Sequence, residues 1–252
     1  MYSRLEIPEP CAAPAALSPE DPFAEIADGS FFASLDHPVS FCIVRHGRSE
    51  GNATMIFQGR LDYPLDAMGH RQAEAAAAWL SGNGADCVLT SPLKRAFDTA
   101  SIIASAIGTT PLVLYSLIEV DVGVFSGIPA RQAEAEQAEI YRQFEYLSWD
   151  AVPGAENSRK MYCRAIASWK KMREVAEGGA TTVVCVTHGG TMQWLLRSTF
   201  GARSWLPLFP TSNCGISQYD VEPTAAGKAA FVQWSRMNFA APGVESGSRP
   251  VF

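Results

Sequence analysis

Two segments of this 252-residue chain share one construction, and it narrows the folds open to the chain. Phe41-Cys-Ile-Val44 is an apolar run that leads straight into Arg45-His46-Gly47, and Thr181-Thr-Val-Val-Cys-Val-Thr187 leads straight into His188-Gly189. Short uncharged runs of this kind suit strands buried on both faces of a parallel sheet. Parallel strands share a direction, so both histidines are expected at one sheet edge, where open α/β sheets place their ligands.

The rest of the chain alternates in the same sense. Asp66 can cap a helix through Gln72–Leu80 that Gly82 or Gly84 closes. Cys87–Thr90 is a second strand, and Ser91-Pro92 opens a helix with proline in its first turn, running through Arg95 to about Ile107 and stopped by Gly108. Leu112–Tyr115 is a further strand, Pro129–Leu147 one amphipathic helix, and Asn157–Glu177 a helix with a core stripe of Met161, Ile166, Trp169, Met172 and Val175. A helix from Gly190 to Phe200 follows the second His-Gly, and Ile216–Val221 with Phe231–Phe239 reads as a hairpin. This order predicts a three-layer α/β/α sandwich whose mostly parallel central sheet gains an antiparallel edge from the hairpin. Residues 1–38, punctuated by prolines, form an extended or partly ordered arm with one short helix near Pro22–Ala27. Residues 39–240 form the domain, and residues 241–252 a loose tail.

Composition removes several function classes. With a net charge of −6 there is no basic field for nucleic acid, so any anion site must be local. No apolar run approaches the roughly 18 residues of a membrane span, and the N-terminus lacks a signal peptide's pattern, so a cytoplasmic protein is expected. Six cysteines lack C-x-x-C spacing, and Cys42, Cys87 and Cys185 lie in apolar runs, as buried free thiols of a reducing compartment would. No metal-ligand cluster stands out, and neither metal nor other cofactor is expected.

The strand Cys87–Thr90 adds Arg95 to the edge that already carries Arg45, His46 and His188. Guanidinium forks match phosphate oxygens, so this foursome is the chemistry of a phosphate site. Singly, each residue has a plain structural explanation; together they converge. A rival motif exists, because Cys42 precedes Arg48 by the spacing of a cysteine-dependent phosphatase. Cys42 lies inside an apolar strand, however, and Ile43 and Val44 cannot form the amide-lined loop that a reactive thiolate needs. Arg48 then reads as a rim residue, and His37 and His70 as solvated.

These residues carry a resemblance. Arg45-His46-Gly47 with Asn52, Gln58-Gly59, Asp62 before Pro64-Leu65, Gly69 before Gln72-Ala73, Ser91-Pro92-Leu93 with Arg95-Ala96 and Thr99-Ala100, and His188-Gly189 together resemble the histidine phosphatase superfamily, or phosphoglycerate mutase-like family, in family order from Phe41 to Phe239. The resemblance implies that His46 is a nucleophile that becomes phosphorylated. It also implies that Arg45, Arg95 and His188 hold phosphoryl oxygens, with Asn52, Gln58 and Gly59 bordering the phosphate. Glu119 stands where the family carries its proton donor, with Asp121 and Glu156 as alternatives. Asn157 replaces a usual small hydroxyl residue and Ser126 a usual glutamate, which bears on substrate-side contacts. The implied activity is metal-independent phosphomonoester hydrolysis on a small phosphorylated metabolite, with no nucleic-acid or membrane partner and a homodimer left open. Phosphoglycerate mutase-type transfer and non-catalytic phospho-ligand binding are the alternatives. The mutases carry a basic segment after the glutamate, whereas this chain reads Glu119-Val-Asp-Val-Gly-Val-Phe-Ser-Gly127, which favours hydrolysis. The Pro129–Leu147 segment sets only Arg131 and Arg142 against four glutamates, which argues against a highly anionic substrate.

Overall fold

The computed structural model describes residues 2–4, 26–202, 204–225 and 228–245. Its strands are β1 (Val39–Arg45), β2 (Cys87–Thr90), β3 (Leu112–Val113), β4 (Thr182–Thr187), β5 (Ile216–Glu222) and β6 (Phe231–Phe239). They form one sheet in the order β3-β2-β4-β1-β5-β6. The first four run parallel, while β5 is antiparallel to both β1 and β6. The α-helices are α1 (Glu50–Ala53), α2 (Ala67–Gly82), α3 (Lys94–Ile107), α4 (Ala130–Glu136), α5 (Ala138–Leu147), α6 (Ser158–Glu177) and α7 (Gly189–Thr199). Among the described residues, no helix is long and apolar enough to cross a membrane.

Side-chain alternation along β1 separates the layers. Val39, Phe41 and Ile43 join a core with Trp169 and Met172 of α6 and Trp194 and Leu195 of α7. Cys42 and Val44 face the other way, onto Ala77 and Leu80 of α2 and Ala100 and Ile103 of α3. The expected three-layer α/β/α arrangement is therefore present, and the Trp169–Met172 stripe is core. Asp66 caps α2 by accepting from the Gly69 N–H at 2.8 Å, and Gly108 ends α3 in the left-handed region.

Several expected elements differ. Pro92 precedes α3 rather than lying in its first turn. The Asp62 carboxylate caps the start of α3 instead, accepting from the Lys94 N–H at 2.6 Å. β3 stops at Val113, because Tyr115–Leu117 turns into a 3-10 helix that carries the chain to Glu119. Pro129–Leu147 is two helices, broken at Gln137, whose φ of −130° leaves the helical region. Of the expected arm, Ile26, Phe31, Phe32 and Leu35 are buried in the core, with Phe32 and Phe41 each packed edge-on against Trp169. The short helix expected near Pro22–Ala27 lies largely outside the described residues. His37 is not simply solvated: its Nε2 lies 3.2 Å from the Ala180 carbonyl and its Nδ1 2.7 Å from Asp36. The start of the expected loose tail is docked, with Ala241 buried and the Glu245 carbonyl accepting from Gln72 at 2.8 Å.

Candidate active site

Strand register brings the two histidines together. Arg45 of β1 pairs with Thr187 of β4, and the His46 N–H donates to the Thr187 carbonyl at 2.9 Å. His46 and His188 thus leave the sheet side by side, ring centroids 5.1 Å apart. β2 lies on the far side of β4, and the Ser91 N–H donates to Val186 at 3.0 Å. That contact sets Ser91 Oγ 2.7 Å from His188 Nε2.

The hydrogen bonds also decide the tautomer of His46. Its Nδ1 lies 2.7 Å from the Gly47 carbonyl, which can only accept, so Nδ1 carries the proton. Nε2 keeps its lone pair, and Arg95 Nε donates to it at 3.2 Å. The remaining arms of the Arg95 fork are fixed on the Leu61 and Gly59 carbonyls, both at 2.8 Å. Gly47 permits this packing, because a Cβ there would come within 2.4 Å of the Gly69 carbonyl in the first turn of α2.

Arg45 and His188 each present a buried nitrogen that the protein does not satisfy. Arg45 Nη1 donates to the Thr211 carbonyl at 2.6 Å, but its Nε has no partner, and neither has His188 Nδ1. Buried polar atoms are nearly always paired in a folded protein, so the unpaired Arg45 N–H beside the His46 imidazole marks a place for an acceptor-rich ligand. Asn52 and Gln58 border the same space. The Asn52 side-chain carbonyl accepts from Ser49 N–H and Asn213 Nδ2, and the Gln58 side-chain carbonyl from Ser49 Oγ.

Glu119 sits opposite. Its carboxylate accepts from the Gly190 and Thr191 N–H groups at 3.3 and 3.0 Å, at the positive end of α7. The pocket is lined by Arg45, His46, Asn52, Gln58, Gly59, Arg95 and Glu119. His188 stands behind His46. The remaining wall is Ile56, Phe57, Val120, Val122, Trp149 and Gly190.

Burial, then the charges of Arg95 and Arg45, push His46 well below the usual imidazole range, so its Nε2 is unprotonated at neutral pH. His188 is pushed down in the same way, by burial first and then by Arg95. Burial lowers Arg45 and Arg95 to about 10, with Glu119 opposing it, and both remain cations at neutral pH. An unprotonated imidazole between two guanidinium groups can attack a phosphorus atom whose oxygens those groups hold.

The alternative acids are committed elsewhere. Asp121 pairs with Arg4 and, at 3.6 Å, with Arg60. Glu156 accepts both arms of Arg164 at 2.8 Å and Arg60 at 3.1 Å. Burial alone would raise the Glu156 pKa, but Arg164 and Arg60 outweigh it and hold the carboxyl below its ordinary value. Neither residue lines the pocket. Asn157 caps α6, accepting from the Lys160 N–H at 2.9 Å. Arg48 is not at the rim as expected; its Nε donates to Asp66 at 2.6 Å, tying the loop to the cap of α2. Cys42 faces α2 and α3, and burial pushes its thiol up to about 12, the reverse of what a thiolate nucleophile requires.

Two contributors had no contact assigned to them from sequence, although Thr99 belonged to the motifs that carry the resemblance. Thr99 Oγ1 accepts from the Gly47 N–H at 3.0 Å, and Asn213 Nδ2 donates to the His46 carbonyl at 3.0 Å. Thr99 lies one helical turn beyond Arg95, a spacing that puts both on one face of α3. Asn213 is too distant in sequence for any local pattern to reveal.

Comparison with known proteins agrees with this geometry. Residues 41–234 match the model of the histidine phosphatase superfamily, branch 1. The 2-carboxy-D-arabinitol-1-phosphatase of Triticum aestivum is 29% identical over 199 residues, covering 78% of this chain but 40% of that protein. The chain thus spans less than half the length of this relative. Phosphoglycerate mutase-like protein 4 of Arabidopsis thaliana is 34% identical over 157 residues, 61% of this chain and 67% of that one. Among solved structures, a mycobacterial glucosyl-3-phosphoglycerate phosphatase superposes with a TM-score of 0.66 at 23% identity, covering 79% of this chain and 99% of its own. The α-ribazole phosphatase of Shigella flexneri gives 0.66 at 22% identity, with 82% and 100% covered. At such identity the structural likeness concerns the fold, which is that of the phosphoglycerate mutase-like proteins. With two histidines and two arginines gathered at one sheet edge and the family pattern matched across most of its length, the chain belongs to the histidine phosphatase superfamily, branch 1.

Proposed function

We propose that the protein hydrolyses phosphomonoesters through a phosphohistidine at His46. The observation that carries this reading is that His46, with Nδ1 tied to the Gly47 carbonyl, lines one pocket with Arg95 and with Arg45, whose Nε is unsatisfied. A phosphoryl oxygen would satisfy Arg45 Nε, and a second would take over the Arg95 Nε–H that now rests on the His46 Nε2 lone pair. His46 Nε2 attacks phosphorus, the P–N bond forms, and the ester P–O bond breaks. The departing oxygen takes the proton of the Glu119 carboxyl. Charge spreading over the phosphoryl oxygens is held by Arg45, Arg95, His188 and the Asn52 and Gln58 amides. The Gly47 carbonyl, accepting from Nδ1–H, stabilises the imidazolium that attack creates. Water then attacks phosphorus and gives a proton to the Glu119 carboxylate. The P–N bond breaks, inorganic phosphate leaves, and His46 and the Glu119 carboxyl are restored. None of these steps routes charge through a metal.

Mutase-type transfer is the second reading, supported by the mutase-like relative. A mutase must hold a second anionic group of its substrate while water is excluded. Hydrolysis is favoured because Arg45 and Arg95 are the cations lining this pocket among the described residues. The test is phosphate release from 4-nitrophenyl phosphate together with trapping of the phosphoenzyme. The wild type is expected to release phosphate and to yield an acid-labile, base-stable phosphoprotein, and His46→Ala to do neither. Turnover by His46→Ala at the wild-type rate would overturn the assignment.

A further inference from the structure

The loop of residues 211–215, just before β5, cradles the residues that end β1. Its main chain holds Arg45. The Thr211 carbonyl accepts from Arg45 Nη1 at 2.6 Å, the Gly215 carbonyl accepts from the Arg45 N–H at 3.2 Å, and the Cys214 N–H donates to the Arg45 carbonyl at 3.0 Å. Cys214 has a φ of 51°, in the left-handed region, which a residue with a Cβ keeps only where its surroundings over-determine it. Asn238 of β6 supplies part of that constraint: its Oδ1 accepts from the Ser212 N–H at 2.6 Å and its Nδ2 donates to Ser212 Oγ at 3.1 Å. Thr211, Asn213 and Cys214 are all buried.

From the middle of this loop one side chain reaches past Arg45. Asn213 Nδ2 donates to the His46 carbonyl at 3.0 Å and to Asn52 Oδ1 at 3.2 Å. The orientation of both amides follows from their main-chain partners. A carbonyl can only accept, so the Asn213 atom facing His46 is nitrogen. The Ser49 N–H can only donate, so the Asn52 atom 3.1 Å from it is oxygen. An amide nitrogen carries two hydrogens, and Asn213 gives one to each partner. With Oδ1 so occupied, Nδ2 is the Asn52 side-chain atom left to donate, and that side chain lines the pocket. The contacts from Ser49 lie inside the single turn of α1 and set the Asn52 amide relative to that turn. Asn213 sets it relative to the nucleophile.

We infer that Asn213 is a positioning residue for phosphoryl transfer: it holds the Asn52 amide in register with His46, so that Asn52 Nδ2 meets a phosphoryl oxygen while His46 Nε2 faces phosphorus. This role rests on the hydrolytic reading above and extends it to a side chain that does not line the pocket. The His46 carbonyl has a second donor in the Cys214 N–H at 3.4 Å, so loss of Asn213 leaves that carbonyl paired and is felt chiefly at Asn52. Misplacing a group at a reacting centre by about 1 Å can slow an enzyme by about 100-fold.

A double-mutant cycle tests the coupling. Wild type, Asn52→Ala, Asn213→Leu and the double variant are assayed on 4-nitrophenyl phosphate, with inorganic phosphate as competitive inhibitor and His46→Ala as control. Leucine keeps the volume of the buried asparagine and lacks both N–H groups. Asn52→Ala should lower kcat/KM by about 10- to 100-fold and Asn213→Leu by about tenfold, each with a higher Ki for phosphate. Misfolded molecules would lower kcat and leave Ki unchanged, so Ki separates positioning from a structural role. The double variant should fall no more than about threefold below Asn52→Ala, because Asn213 then has nothing left to position. Losses that multiply, or wild-type Ki and kcat/KM in Asn213→Leu, would overturn the inference and leave the hydrolytic reading standing. Should Asn213→Leu fail to fold, proton–nitrogen NMR spectra of the wild type decide. Inorganic phosphate should shift the Asn52 side-chain amide, while both Asn213 amide protons stay protected from exchange. An unmoved Asn52 resonance, or fast exchange at Asn213, would equally overturn the inference. Turnover undiminished in His46→Ala would overturn the hydrolytic reading, and the role of Asn213 with it.

Discussion

At the scale of single residues, the clearest division of labour is between Glu119 and its two acidic neighbours. All three carboxylates were open as proton donors from sequence. The structure gives Asp121 and Glu156 arginine partners and gives Glu119 only backbone N–H groups, Thr191 Oγ1 and the pocket. A carboxylate locked in a two-armed arginine pair is poorly placed to exchange protons with a substrate. For Glu119→Gln, kcat on an alkyl phosphate should fall by about 10²- to 10⁴-fold. It should fall far less on 4-nitrophenyl phosphate, whose leaving group needs no proton. Equal losses on both esters would remove Glu119 from that role. His46, Arg45, Arg95 and His188 were legible because each follows an apolar strand closely, and a strand end fixes position better than any other local signal.

At the scale of elements, the start of α7 holds the Glu119 carboxylate in place. Gly190 lies in its first turn, and a Cβ there would come within 2.6 Å of Val120 Cγ2 and 2.8 Å of Glu119 Oε1. Alanine is intrinsically better than glycine in a helix by about 1 kcal/mol. Gly190→Ala should therefore cost turnover, at least about tenfold, while thermal stability changes little, because Glu119 is displaced while the helix is strengthened. Differential scanning calorimetry beside alkyl phosphate kinetics reads both, and unchanged kcat would show that Glu119 need not stay where it is. The segment leading into Glu119 is held by a different device, the buried Glu156–Arg164 pair, which links α6 to the Ser116 and Ile118 carbonyls. Arg164→Leu strands the Glu156 charge with only Arg60, and urea unfolding should show a loss of about 3–5 kcal/mol. A loss below about 1 kcal/mol would mean that the pair is dispensable. The helix expected over Pro129–Leu147 was right in period and wrong in continuity: apolar spacing reports a face, and it does not report a break that keeps the same face inward.

At the scale of the whole molecule, the site makes stability depend on pH. His46 and His188 are buried and held neutral in the folded protein, with pKa values well below the ordinary imidazole value near 6.5. Below about pH 6.5 the unfolded chain binds protons that the folded chain refuses, so stability is fully present above that pH and is lost as pH falls. The loss is up to about 1.4 kcal/mol per pH unit for each histidine. Glu156, whose pKa is lowered, contributes in the same direction, its share being lost only below the ordinary carboxylate range. Urea midpoints should fall steadily from pH 7 to pH 5, and less steeply in His188→Gln. A flat profile would mean that the two imidazoles are not held neutral.

The sequence by itself determined the parallel strands and the direction in which they deliver His46 and His188, and hence the gathering of histidines and arginines at their ends. Those are properties of short segments, set by apolar runs, β-branched residues and the shared direction of parallel strands. Only the tertiary structure decided which carboxylate faces the pocket, that Arg48 belongs to Asp66, and that Ile26, Phe31, Phe32 and Leu35 are core. It also set the wall beyond the phosphate, where Ile56, Phe57, Val122 and Trp149 meet from segments far apart in the chain. Partner choice among several nearby charges and rings is settled by packing distances between distant segments. Local spacing carries no record of those distances.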